Sequence, residues 1–219
     1  MDKYRMRFQK TGRSIYISHL DLMHTMQRAF SRAGFRIRYS EGFNPHPILS
    51  IILPLSVGTA SLCEIMDFRM TEDPDPSEIV EKLNRTLPEG ITVLEAYEPQ
   101  RKASELKYLA IEGRMEYDNA SIQEMTEALQ SFYSAESIII SKKSKRGYSD
   151  FDVIRGIREI HFTAGESFVE VKAVISAQEP TFNPDLLSEA LQQKRPPLQP
   201  DFAAFTRLET YDCEMQLFR

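Results

Sequence analysis

The spacing of apolar residues switches repeatedly between two and three-to-four along this chain, and the order of the switches restricts the fold. Residues 3–9, KYRMRFQ, alternate polar and apolar, as a strand with one buried face does. Lys10 to Arg13 reads as a turn, and Ser14 to Ile17 would complete a short strand. Ser18 then stands where a helix N-cap belongs, with Asp21 three residues on in the acid position of a capping box. Leu22, Met26, Ala29, Phe30 and Ala33 follow at helical spacing, and Gly34 is placed to stop the helix. Phe35 to Tyr39 alternates as a strand, residues 40–47 form a loop, and Ile48 to Leu55 is a more apolar strand. Leu62 to Met70 alternates again. Ser77 is expected to cap a helix to about Leu87, and Ile91 to Ala96 closes as a strand.

Strand, helix, strand, strand, helix, strand, with one extra strand, is the order of a split βαβ sandwich. Past the polar, proline-containing residues 97–105 the plan recurs. Leu106 to Tyr117 and Ser137 to Ser141 read as strands. A helix from Ser121, with Glu124 in the capping-box position, lies between them. Residues 142–150 form a basic loop, residues 157–175 a hairpin, a helix starts at Asn183-Pro184, and Thr206 to Leu217 is the last strand. The expected fold is therefore α+β, two ferredoxin-like halves in tandem, with domains over residues 1–98 and 106–219.

Composition narrows the function classes. The 219 residues carry a net charge of −5, which conceals an asymmetry. Residues 1–50 hold nine Lys/Arg against three Asp/Glu, whereas residues 51–100 hold three against ten. A basic first quarter points either to an anion-binding face or to neutralisation by the acidic stretch that follows. Two cysteines, Cys63 and Cys213, are too few for a disulfide framework or a four-thiolate metal site and read as buried apolar thiols. No apolar run reaches the roughly 18 residues of a membrane span. The expectation is a cytoplasmic protein with no membrane, cofactor or metal.

Residues 12–69 contain an ordered set of blocks: Ser18-His19-Leu20-Asp21, then Gln27-Arg28-Ala29 with Arg32-Ala33-Gly34, then Ser40-Glu41-Gly42-Phe43-Asn44-Pro45-His46-Pro47. Together they resemble the radical-SAM-linked protein family, a bacterial domain found beside or fused to a radical SAM protein. The resemblance implies a radical SAM partner and a place in RNA or ribosome metabolism, and brings no established activity. The chain has no Cys-x3-Cys-x2-Cys and so is at most a companion to such a catalyst.

Several residues carry chemistry. His24, Arg28 and Arg32 are spaced by four and share one helix stripe, with Arg36 shortly after. Such a stripe suits phosphate contact, or else a solvated face paired with carboxylates. In the loop, Gly42 frees one backbone position while Pro45 and Pro47 stiffen the rest. Phe43 would stack on a base, and Asn44 and His46 would hydrogen-bond to it; the other reading is a structural corner plugged by Phe43. Lys142, Lys143, Lys145 and Arg146 are the densest basic cluster, either a backbone contact or a solvated hairpin. His19, Asp21 and His46 would supply base, orienting carboxylate and acid if the chain were an enzyme, while Ser18 and Asp21 equally read as helix caps.

Three functions follow. The first is an RNA-binding or adaptor protein working with a radical SAM partner. The second is an RNA-processing or RNA-modifying enzyme using His19, Asp21 and His46. The third is a protein–protein scaffold without RNA contact.

Overall fold

The computed structural model describes residues 3–144 and 147–219 and is a mixed α+β protein with mostly antiparallel strands and four α-helices among those residues. The chain separates into two compact units, one running to Ala103 and including Arg219, the other Ser104–Phe218.

In the first unit the elements are β1 (Lys3–Lys10), α1 (His19–Arg32), β2 (Leu49–Ile52), β3 (Ala60–Arg69), α2 (Pro76–Asn84) and β4 (Ile91–Tyr97). β1 lies between β3 and β4, antiparallel to both, and β2 pairs with β3 from Leu49 opposite Phe68 to Ile52 opposite Ile65. The strand order is thus β4-β1-β3-β2. The alternation read at the N-terminus has its expected result: Tyr4, Met6 and Phe8 are buried in the core. Leu22, Met26, Ala29 and Phe30 of α1 and Ile79 and Leu83 of α2 join the same core. The Phe30 and Phe68 rings meet at 4.8 Å. Truncating a buried Phe of this kind costs about 3–5 kcal/mol.

The second unit holds β5 (Tyr108–Glu116), α3 (Ile122–Tyr133), β6 (Ile139–Ser144), β7 (Gly147–Asp152), β8 (Ile157–Ala164), β9 (Phe168–Ser176), α4 (Asp185–Lys194) and β10 (Phe202–Tyr211). β5 pairs antiparallel with β10 and β9, and β9 with β8, giving the order β10-β5-β9-β8. β6 and β7 form a separate two-stranded hairpin between α3 and β8. Tyr133 ends α3 inside the core, stacked on Phe162 at 5.4 Å, and its hydroxyl donates to the Leu187 carbonyl at 2.5 Å. Gly113 leaves room for a ring: a Cβ there would stand 2.4 Å from Phe205 Cδ1.

The structure departs from the sequence expectations at several places. Ser14 to Tyr16 belongs to a 3-10 helix (Gly12–Tyr16) rather than a strand, and the strand expected over Ile48 to Leu55 is confined to Leu49–Ile52. Phe35 to Tyr39 is no strand; only Ile37 with Met70 and Tyr39 with Pro47 form isolated bridges. Phe35 turns into the core just after Gly34, and Pro45 and Pro47 lack the donors a ladder needs. Of the expected loop 142–150, residues 142–144 and 147–150 instead pair in the β6–β7 ladder. The second helix is capped by Asp75, which accepts from the Ser77 amide at 2.8 Å, because Pro76 occupies the first helical position. The last strand begins at Phe202 rather than Thr206 and ends at Tyr211. Cys63 is buried as expected, whereas Cys213 is exposed.

Candidate nucleic-acid interface

The route from β1 into α1 is held from below. Lys10 is almost fully buried, and its ammonium donates to the Ile15 and Ile17 carbonyls, each at 3.1 Å. Burial pushes its pKa down, and the buried Glu64 carboxylate works in the opposite direction. Ser14 ties the same turn to β4's approach by donating to the Glu89 carbonyl at 2.7 Å. The chain therefore enters α1 at a fixed point. There Ser18 accepts from the Asp21 amide at 3.2 Å and donates to its carboxylate at 2.7 Å. Asp21 thus completes the helix cap.

His19 is exposed and has no partner among the described residues. His46 is held within its own loop: its Nδ1 lies 2.9 Å from Ser40 Oγ and 3.4 Å from the Asn44 carbonyl, and its amide donates to Ser40 Oγ at 3.1 Å. No hydrogen bond or ion pair among the described residues joins His19, Asp21 and His46. No group of three or more His, Cys, Asp or Glu among those residues could hold a metal ion.

The arginines of β1 and those of α1 differ in their partners. The two on β1 face inward or sideways to carboxylates. Buried Arg5 grips Asp67 through Nε at 2.6 Å and Nη2 at 3.0 Å, and Arg7 lies 3.9 Å from Glu95. Such pairs neutralise the acidic stretch internally. The arginines of α1 are arranged differently. Arg28 is exposed with no partner among the described residues. Arg32, also exposed, donates to the Thr86 carbonyl at 2.8 Å and meets no carboxylate among the described residues. Arg36 is intermediate: it lies 3.6 Å from Glu72, yet its side chain is 82% exposed. An exposed pair of this kind contributes at most about 1 kcal/mol, so a phosphate can compete for Arg36.

A cleft of about 410 Å³, with Arg36 in its wall, opens between α1 and the segment after it. Gln27 and Ser31 form its helix wall, with Arg36, Tyr39, Pro47 and Thr71 on the other side. Tyr39 is 57% exposed and Phe43 stands entirely in solvent. The expectation that Phe43 plugs the core therefore fails: loop 40–47 closes on Ser40 and His46 and presents the ring outward. Asn44 is exposed in the same loop. Sequence reasoning assigned no binding role to Gln27, Ser31 or Tyr39. The signal available was the spacing of Gln27 and Ser31, one row over from Arg28 and Arg32 on the same helix.

In the second unit, Lys142 is engaged locally. Its ammonium sits 4.5 Å from the Phe151 ring centroid and 3.4 Å from the Thr181 carbonyl. Lys143 lies in β6 opposite Tyr148. Lys145 and Arg146 lie outside the described residues. The unit also has a larger cavity of about 740 Å³, lined by α3 residues such as Phe132 and by Lys194 to Leu198. None of the residues singled out by sequence lines it.

A family model described as an uncharacterized protein conserved in bacteria (DUF2344) matches residues 3–184, and the chain belongs to that family. No curated protein matches the chain in sequence. Among solved structures, it is similar to the acetolactate synthase small subunit from Thermotoga maritima, with a TM-score of 0.27, 11% identity and 97% of each chain covered. It is also similar to an unknown protein from Galdieria sulphuraria, with a TM-score of 0.27, 11% identity and 94% of this chain and 98% of that chain covered. No functional argument rests on these two likenesses.

Proposed function

We propose that the chain is an RNA-binding or adaptor protein that works with a radical SAM partner in RNA or ribosome metabolism, built as two ferredoxin-like halves over residues 1–98 and 106–219. One observation carries the RNA part of this reading. The arginines of β1 are matched by carboxylates, whereas Arg28 and Arg32 on α1 meet none among the described residues, and exposed aromatics lie in the segment that follows. Unmatched guanidinium groups suit phosphate, and exposed rings suit bases. The radical SAM partner rests on the sequence blocks of residues 12–69 alone.

The enzymatic alternative has less support, because the Asp21 carboxylate is committed to Ser18 and His46 Nδ1 to its own loop. The test is binding of the full chain to total cellular RNA at two salt concentrations. Salt-sensitive binding that disappears in Arg28→Glu/Arg32→Glu is expected. No binding at low salt contradicts the RNA reading and leaves the protein scaffold.

A further inference from the structure

The arginines account for a polyanion but not for the cleft beside them. Its walls are mixed in a particular way. Tyr39, Ile37 and Pro47 supply apolar and aromatic surface, while Gln27, Ser31 and Thr71 supply amide and hydroxyl groups. The Gln27 amide and the Ser31 hydroxyl make no hydrogen bond among the described residues. An apolar ligand seated there would strip water from those groups and from Arg36 without replacing it, which is costly. A flat, aromatic ligand with donors and acceptors on its edge satisfies both kinds of wall. An amide offers donor and acceptor together, which matches the edge of a base.

Placement adds to the argument. On α1 the row Gln27–Ser31 lines the cleft, and the row Arg28–Arg32 lies one residue further round the helix. Arg36 belongs to the cleft wall itself. A phosphate held by Arg36 would therefore lie at the cleft wall, with Arg28 and Arg32 on the same helix as Gln27 and Ser31 to meet further phosphates. Phe43, fully exposed on the neighbouring loop, offers a second stacking surface. Bases stacked in a duplex cannot enter a recess; only an unpaired nucleotide can turn into one.

We infer that this cleft seats one unstacked nucleobase, so that the chain recognises RNA as a single strand. The inference rests on the RNA reading above and adds a form of RNA and a base-contacting pocket to it.

The test is fluorescence anisotropy with the full chain, using a labelled mixed-sequence RNA of about ten nucleotides as a single strand and as a blunt duplex. The single strand is expected to bind roughly tenfold tighter or more. Tyr39→Ala should weaken single-strand binding by about tenfold, the order expected for losing one stacked base, and leave duplex binding unchanged. Tyr39→Phe should retain the affinity, and Gln27→Ala should lose a smaller, base-dependent share. Tyr39 and Gln27 lie outside the buried core, and circular dichroism checks that each variant stays folded. Equal binding of strand and duplex, or a Tyr39→Ala variant with unchanged affinity, overturns the inference while the RNA reading stands. No binding of either RNA by the unaltered chain overturns both.

Discussion

The first helices of the two units make an instructive pair. Both α1 and α3 follow a serine cap, Ser18 or Ser121, whose hydroxyl accepts from the amide of an acidic residue three positions later. Both bury one stripe: Leu22, Met26 and Phe30 in α1, Thr126, Leu129 and Tyr133 in α3. On these inward and terminal features folding leaves little choice. The outward faces differ. α1 shows Arg28 and Arg32, whereas α3 has no basic residue and carries Glu124 and Glu127, with Gln123 bonded to Glu127 at 2.7 Å. The connections that follow differ as well. The first unit inserts an irregular segment with exposed Tyr39 and Phe43, the second a regular β6–β7 hairpin whose Lys142 is engaged locally. The same plan thus carries two surfaces: of these two helices α1 alone bears arginines, and the segment after it bears two exposed rings, Tyr39 and Phe43.

The largest expected effect tests that contrast directly. Arg28→Glu/Arg32→Glu should lower RNA affinity by a hundredfold or more, since two attractive phosphate contacts become repulsive. Stability should fall by no more than about 1–2 kcal/mol, because both side chains are exposed while Arg32 gives up its bond to the Thr86 carbonyl and a carboxylate replaces a cation in the last turn of α1. Glu124→Gln/Glu127→Gln in α3 should leave RNA binding unchanged. Comparable losses from both pairs would erase the distinction between the units.

Next comes the support beneath α1. Lys10→Met should destabilise the protein by about 2–3 kcal/mol in chemical denaturation, since it leaves the Ile15 and Ile17 carbonyls without their donor and removes a cation whose charge is favoured by buried Glu64. Lys10→Met/Glu64→Leu should recover part of that loss. A single variant as stable as the parent would show that the entry to α1 is held by something else.

A smaller effect involves both units. Burial, first among the causes, pushes the hydroxyls of Tyr97 and Tyr117 up to about 12, and burial with Asp73 does the same for Tyr4. Their unfolded value is near 10, so the folded state holds these protons more tightly. The resulting stability is fully present below pH 10 and is lost as pH rises toward 12. Buried Lys10 works oppositely: its lowered pKa makes folding easier as pH rises through the alkaline range. The tyrosines outnumber it, so thermal melts should show a midpoint falling between pH 10 and 11.5. The smallest expected effect is at the hairpin. Lys142→Ala should change RNA affinity by less than about twofold, since its ammonium already has an aromatic and a carbonyl partner.

Much of the scaffold was legible in the sequence because it depends on local periodicity. Alternation marked β1, and the 22–26–29–30 spacing marked the buried face of α1. Ser18 with Asp21 and Ser121 with Glu124 marked the two caps. What escaped depends on tertiary partners. Alternation at Phe35 to Tyr39 resembles a strand, yet Phe35 is taken by the core and the segment makes only bridges. The basic run after Ser141 has the charge of a solvated loop, although backbone pairing joins residues 142–144 to 147–149 in a ladder. At the candidate site the arginine stripe was visible from spacing alone. Its separation from the β1 arginines was not, because Asp67 and Glu95 are distant in sequence. The cleft was equally hidden, since Gln27, Tyr39 and Thr71 meet only in the folded chain.

The account's central claim is that the α1 arginines face phosphate. The most direct measurement is the affinity of the full chain for single-stranded RNA across a salt series from 50 to 200 mM. Three contacts, from Arg28, Arg32 and Arg36, predict that log K falls linearly with log salt with a slope of about −2, reduced to about −1.4 in Arg28→Ala. Affinity independent of salt, or a slope that Arg28→Ala leaves unchanged, would contradict the claim.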